Sequence, residues 1–394
     1  MTPYLFSISL IGMFSLFQLK NENSKIVILT IFILILIFTG LRFEIGYDWL
    51  SYEEFFKLVP SQINIDYYYN GYLNLEVEIS YYILNNFIKT LGGNFESLLF
   101  IIALFNISVI HYAFKKIYNK SYAFSWLMYF TIALVPIQFN ILRQSIAASF
   151  VILSLILILE NKKLMSFVMF FIGCTFQISV LMLAVIVLTR NIIVTKSILI
   201  VFIAVCLLLF SLNLFIIDDS IYIVSNFLPG FFSDKAASYA DSLASNDTGG
   251  ASIFALLLVV LYFMLLYLFY PHRKEKIINV AFNITLLMIF CHLAFSQFPS
   301  IWNRTMAVSL VFQLPCAWSI INRHYKNFTL GVINFSITVS CIIVTQWQLS
   351  RPENIPFVPY HSLLQVWAFN DFGDGRARSI YAIRRSEELK AIGQ

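Results

Sequence analysis

Long apolar runs separated by short polar segments recur from one end of this chain to the other. Runs of about 17 to 25 residues are long enough to cross a roughly 30 Å hydrocarbon core as helix. They do not alternate polar with apolar residues, which argues against a transmembrane β-barrel. The candidate spans are 3–19, 26–41, 95–114, 122–139, 141–159, 197–214, 253–270, 277–295, 306–321 and 328–345. A further apolar stretch, 164–188, decides the topology. As one helix it puts Arg190, Lys196 and the HRKEK loop outside, whereas two half-helices folding back near Gln177 keep them inside.

The positive-inside rule favours the hairpin. In that reading Lys20, Lys25, Lys115, Lys116, Lys120, Lys162, Lys163, Arg190, Lys196, Arg273, Lys274, Lys276, Arg323 and Lys326 all face the cytoplasm. The expected fold is therefore all-α: a polytopic transmembrane helical bundle with an outward amino terminus, about ten full spans and a re-entrant hairpin. Nothing basic precedes the first run and no small-residue cleavage site is evident, so that run reads as a retained helix. Residues 1–394 read as a single membrane domain with three outward segments. These are a loop at 42–94 with an interfacial helix, a second loop at 215–250, and an aromatic, then basic, tail at 347–394. In the first, Val77, Ile79, Tyr82, Ile83, Asn86, Phe87 and Leu91 form the apolar stripe of that helix. Arg376, Arg378, Arg384 and Arg385 strain an outer place for the tail, unless a segment near 358–368 re-enters the membrane.

Composition agrees: 59% of residues are hydrophobic and 12% charged, against roughly 25% charged in soluble domains. The net charge of +5 matters less than its distribution, and no basic tract interleaved with aromatics suggests nucleic acid. The five cysteines lie in apolar spans without CxxC or Cys/His spacing, so they read as packing residues rather than disulfides or metal ligands. No HExxH, GxSxG with a triad, Walker or EF-hand pattern is present. The sequence thus implies neither metal nor cofactor, and any chemistry draws on an already activated, membrane-embedded donor.

Against that background Arg143 stands out, at the mouth of a long apolar helix on the face opposite most basic residues. Arginine at mid-helix costs about 2.5 to 3.5 kcal/mol on insertion scales, so a functional role is the default hypothesis. Arg42 and Arg304 occupy equivalent places, and together the three arginines suggest an outer site for an anion. Guanidinium pairs bidentately with phosphate oxygens, and Gln144, Ser145, Ala147 and Ala148 beside Arg143 permit close approach. The bland alternative is a structural ion pair with Asp48 or Glu44. In LRFEIGYDWLSYEEFF, Gly46 permits a tight turn, and Tyr47, Trp49 and Tyr52 suit an interfacial belt or stacking on sugar rings. A carboxylate held near arginine, Asp48 or Glu44, can serve as general base. Gln177 at the hairpin tip either meets substrate or caps the half-helices. His292 reads as packing, and His361 is a lone histidine.

RFEIGYDWLSYEEFF (42–56), LRQSIAASF (142–150), NRTMA (303–307) and VPY (358–360) resemble, in order and spacing, the EpsG-like branch of bacterial polysaccharide polymerases, broadly Wzy-type enzymes. The resemblance implies a multi-pass protein of the bacterial cytoplasmic (inner) membrane with a fold similar to the C-type glycosyltransferases. It implies a metal-independent polymerase joining undecaprenyl-diphosphate-linked oligosaccharide repeat units at the outer face, with membrane lipid and a chain-length regulator as further partners. On that basis Arg143, Arg304 and Arg42 are expected to bind the diphosphate, Asp48 to activate the acceptor hydroxyl, and Glu44 to substitute for it. Tyr47, Trp49, Tyr52, Gln144, Gln177 and Tyr360 are expected to hold sugar or position substrate. Where the family often has histidine, CTFQIS has Gln177, which favours positioning over catalysis. The alternatives are a lipid-linked oligosaccharide flippase or other transporter, expected to carry charge through both leaflets, and an integral membrane O-acyltransferase, expected to need a histidine facing substrate.

Overall fold

The computed structural model describes residues 1–21, 24–62, 77–211, 253–294 and 299–392. The loop expected at 215–250 lies outside the described residues, as does 63–76 of the first outer segment. The described residues are helical apart from short connections and one isolated bridge. In order the helices are α1 (Thr2–Lys20), α2 (Lys25–Gly40), α3 (Trp49–Leu58), α4 (Ile79–Thr90), α5 (Phe95–Tyr118), α6 (Tyr122–Tyr129), α7 (Leu142–Leu159), α8 (Lys163–Phe176), α9 (Ala184–Thr189), α10 (Lys196–Ser211), α11 (Ile253–Phe269), α12 (Lys276–Ala294), α13 (Pro299–His324), α14 (Asn327–Leu349), α15 (Leu363–Phe369) and α16 (Gly375–Ile392).

Helix satisfies every backbone hydrogen bond within one segment, which the hydrocarbon core demands. Among the described residues each expected span falls on helix, and six helical stretches there are long and apolar enough to cross a membrane. Three expected spans, 26–41, 197–214 and 253–270, fall among the shorter apolar helices. The first stops at Gly40 because the chain then turns into an extended pairing with Ser362. Caps fix other ends. Asn94 Oδ1 accepts the Ser97 N–H at 2.9 Å, while Glu96 in the first turn of α5 and Lys115 and Lys116 in its last turn complement the helix dipole. Beyond α6 the chain widens into a π-helix, Phe130–Asn140, around Pro136, which has no N–H to continue an ordinary ladder.

Two compact units divide the chain: Met1–Ala184 with Leu310–Gln394, and Val185–Ser309. In the first, α1 packs on α14, α2 on α5, and α7 on both α5 and α8. Asn334 Nδ2 donates to Ser15 Oγ at 2.7 Å across the α1–α14 contact. A Cβ on Gly173 would meet the Ala147 carbonyl oxygen at 3.1 Å, so small residues allow α7 and α8 their close approach. Within this unit Lys116 and Lys162 both reach Glu160, and Asn322 Nδ2 contacts Tyr118 Oη at 3.4 Å, gathering three of the basic loops at one end. The opposite end holds Tyr4, Arg42 and the segment after α14. The tail stays there too: 358–362 pairs with the chain around Arg42, and Arg376 meets Glu44 and Glu53. Acidic partners thus neutralise one of the four tail arginines.

In the second unit Asn279 Nδ2 donates to the Arg190 carbonyl at 2.7 Å, and Arg273 Nε to that of Val194 at 3.0 Å, which brings two basic loops together. Both topologies weighed above require this. The interruption of 164–188 falls where expected: α8 ends at Phe176, Gln177 is extended, and a 3-10 turn, Ile178–Leu183, packs against α7 and α8.

Candidate functional site

Just past α2, Arg42 pairs antiparallel with Ser362. Phe43 N–H donates to His361 O at 3.0 Å and Leu363 N–H to Leu41 O at 2.7 Å. This brings the VPY segment against the start of the first outer loop. Tyr360 stacks on Phe38 with centroids 4.5 Å apart and donates to the Phe38 carbonyl at 2.7 Å; Tyr4 donates to that of Phe357 at 2.8 Å. The Arg42 side chain turns inward against this aromatic wall. Its Nη1 donates to Thr39 O at 2.6 Å, its Cζ lies 5.0 Å from the Phe139 ring centre, and the residue is 2% exposed. Nε and Nη2 have no partner among the described residues. Burial pulls the guanidinium down to about 10, against the opposing pull of Tyr360, Tyr4 and Tyr81, so it stays charged at neutral pH. A buried charge with open donors is costly unless something anionic meets it.

Arg143 lies in the first turn of α7, after the π-helix. Its Nη1 meets Glu78 Oε2 at 2.5 Å, with the Glu78 side chain 5% exposed. An ion pair with Asp48 or Glu44 was the structural expectation, and Glu78 takes that place instead. The Tyr52 hydroxyl also bonds Arg143, and Tyr81 feels the charge of both Arg143 and Arg42. Tyr81 is fully buried, with its hydroxyl unpartnered among the described residues. Tyr81 thus lies within electrostatic range of both arginines without a hydrogen bond to either. Asp48 sits at the exposed rim, at the N-terminus of α3 without a side-chain cap bond. Partial desolvation raises the Asp48 carboxyl from the ordinary aspartate value, and Arg143 opposes that rise.

The other expected residues divide. Tyr47 is half-buried, with its N–H on Asn140 Oδ1 at 2.9 Å and its ring edge-on to Phe357. Gly46 takes the expected turn at φ 113°, where a Cβ would meet Asn140 Oδ1 at 2.7 Å. Trp49 is 4% exposed and its indole N–H is committed to Ser379 Oγ at 3.0 Å, so it packs the loop rather than offering a ring face to a sugar. Glu44 turns away from both arginines: its Oε2 accepts the Arg376 N–H at 2.9 Å. Gln144 accepts from Ser179 Oγ at 2.9 Å, which fixes the break in 164–188 beside Arg143, and Gln177 there is buried. Tyr360 is a wall of the Arg42 chamber. Arg304 lies on α13 in the second unit, and its side chain is outside the described residues.

Sequence reasoning missed Glu78, Tyr81 and the tail residues Arg376 and Ser379. The first two sat within the expected interfacial helix, which forms as α4. Its stripe splits: Tyr82 and Asn86 turn to the protein, while Ile83, Phe87 and Leu91 are exposed along one edge. Tyr81, left out of the stripe, is among the most buried residues of the loop core.

The chain matches the EpsG family over residues 25–362, a range that takes in Arg42, Asp48, Glu78, Arg143 and Tyr360. It belongs to that family. EpsG proteins are membrane proteins related to the Wzy-like polysaccharide polymerases, so this chain is a membrane protein of polysaccharide biosynthesis. No curated protein and no solved structure matches it. Helices α15 and α16 lie beyond the stretch matched to the EpsG family.

Proposed function

We propose that this EpsG protein is a glycosyltransferase-type polymerase. It joins undecaprenyl-diphosphate-linked oligosaccharide units at the outer face of the bacterial cytoplasmic membrane, in a fold of the C-type glycosyltransferase kind. The observation that carries the reading is the Arg42–Tyr81–Arg143 cluster: two arginines at one end of the bundle, one of them buried with open donors. In the proposed reaction the acceptor hydroxyl oxygen bonds the anomeric carbon of the growing glycan while the bond from that carbon to phosphate oxygen breaks. The diphosphate leaves with the electron pair, and stabilising its charge is the main electrostatic task. Arg42 and Arg143 meet those oxygens. Asp48 takes the proton of the acceptor hydroxyl, its raised pKa making it a stronger base than an ordinary aspartate. Tyr47 and Tyr52 border the sugar. Gln177 positions the units, and Arg304 is a third arginine to be tested by substitution. A largely apolar groove lined by Leu41, Phe100, Ile101, Leu363 and Trp367, with Asn94, Glu96 and Ser97 also in its wall, opens next to the Arg42–Ser362 bridge and suits an isoprenoid chain.

The test is a gel of surface glycan from a strain lacking this gene, complemented with the wild-type chain. A ladder that collapses to one repeat unit and returns on complementation supports the polymerase. Loss of all glycan with lipid-linked units accumulating inside would instead identify a flippase. A full ladder lacking only acetyl groups would identify an O-acyltransferase.

A further inference from the structure

Helix α16 is tied to the loop that carries Asp48 at several points. Ser379, fully buried, uses one hydroxyl twice: it accepts from Trp49 Nε1 at 3.0 Å and donates to Gly46 O at 3.0 Å. Gly46 and Trp49 bracket Asp48 in the chain. Arg376 donates from Nη2 to Glu53 Oε2 at 2.6 Å and from its backbone N–H to Glu44 Oε2 at 2.9 Å, and its guanidinium lies 5.2 Å from the Trp49 ring centre. Glu44 is held at φ 51°, a conformation a non-glycine residue adopts only when its surroundings impose it. Gly375 approaches Glu44 so closely that a Cβ there would overlap its backbone, so the entry to α16 admits no larger residue without displacing the loop. Further along, Ile383 packs against the loop core that includes Phe55 and Tyr81.

Asp48 itself makes no capping bond to α3. The place of its carboxylate therefore depends on the backbone on either side, and that backbone is held from outside by Ser379 and Arg376. We propose that α16, which lies beyond the stretch matched to the EpsG family, is a positioning element for Asp48, with Ser379 and Arg376 as its positioning residues. This inference rests on the polymerase reading. A misplacement of about 1 Å at a reacting group costs on the order of 100-fold in rate without needing to weaken substrate binding. A merely structural strap would instead lower the amount of folded protein and leave the turnover of what remains unchanged.

The experiment uses full-length protein in membranes supplied with lipid-linked repeat units extracted from a strain lacking the gene. Turnover at saturating units and the half-saturating concentration are measured for wild type, Ser379→Ala, Arg376→Ala, Arg376→Lys and Arg143→Ala, each normalised to folded protein. Turnover falling at least about tenfold in Ser379→Ala and Arg376→Ala, at unchanged half-saturation and with part of the loss restored by Arg376→Lys, supports the inference. Wild-type turnover per folded molecule in both alanine variants overturns it, as does a rise in half-saturation alone. Should Ser379→Ala not fold, the two variants of the half-buried Arg376 decide. If Arg143→Ala is inactive while both tail variants are wild type, only the positioning role falls. If Arg143→Ala polymerises normally, the polymerase site falls and this inference with it.

Discussion

The two ends of the first unit treat charge in opposite ways. At the basic-loop end Glu160 bridges Lys116 and Lys162, both at 2.8 Å, in open solvent. Their hydrogen bonds hold Glu160 down to about 2, and solvent screens the cluster. At the other end Arg42 is sealed among aromatic rings with two donors open, and Arg143 shares its surroundings with a buried glutamate, two tyrosines and Asp48. The first arrangement is of the kind that orients a protein in a membrane. The second leaves a buried charge with open donors among the described residues, and under the proposed function an anionic ligand offsets that cost.

The largest expected effect that separates the ends comes from Arg143→Ala, which removes a donor to the leaving group and strands buried Glu78. Polymer synthesis should fall by about 10³-fold or more, and Arg143→Lys should recover little, because a point charge lacks the fork. Rates in membranes normalised to folded protein check both. Next, Asp48→Asn should lower turnover by about 10²-fold and remove the acid limb of the pH profile. In wild type the base works when deprotonated, so activity rises with pH through the Asp48 pKa. Because packing raises that value, the limb should lie above the ordinary aspartate value of about 3.9. A limb below it would contradict the assignment.

Arg42→Met sharpens the contrast between stability and function. Replacing a buried charge that has no counter-ion among the described residues by an apolar side chain should leave thermal stability in detergent unchanged or raised, while polymer synthesis collapses. Lower stability with intact polymer would mean that Arg42 is structural. Smallest is Glu160→Gln at the basic-loop end, expected to leave the glycan ladder unchanged; a shortened ladder would break the comparison.

The helices were legible in the sequence because an apolar run in lipid has one economical backbone solution, and the break at Gln177 was legible from the charges flanking 164–188; of the ten expected spans, the number that cross a membrane was not. Arg42, Arg143 and Asp48 were legible as charges placed beside apolar helices. Their partners were not, because Glu78 lies 65 residues from Arg143 and nothing in local periodicity reports a contact made across the loop. Trp49 was misassigned for a related reason. An aromatic next to a candidate base looks the same in sequence whether it faces a sugar or, as here, a serine 330 residues away. Of the tail arginines that strained the expected topology, Arg376 is received by Glu44 and Glu53 and Arg378 by Asp374.

The most direct test of the central claim is ligand-induced stabilisation of the purified full-length protein. Undecaprenyl diphosphate should raise the Tm of wild type, undecaprenol should not match it, and Arg42→Met and Arg143→Lys should each lose most of the shift. An equal shift from the uncharged alcohol, or an undiminished shift in both variants, would contradict the claim that these two arginines hold the diphosphate.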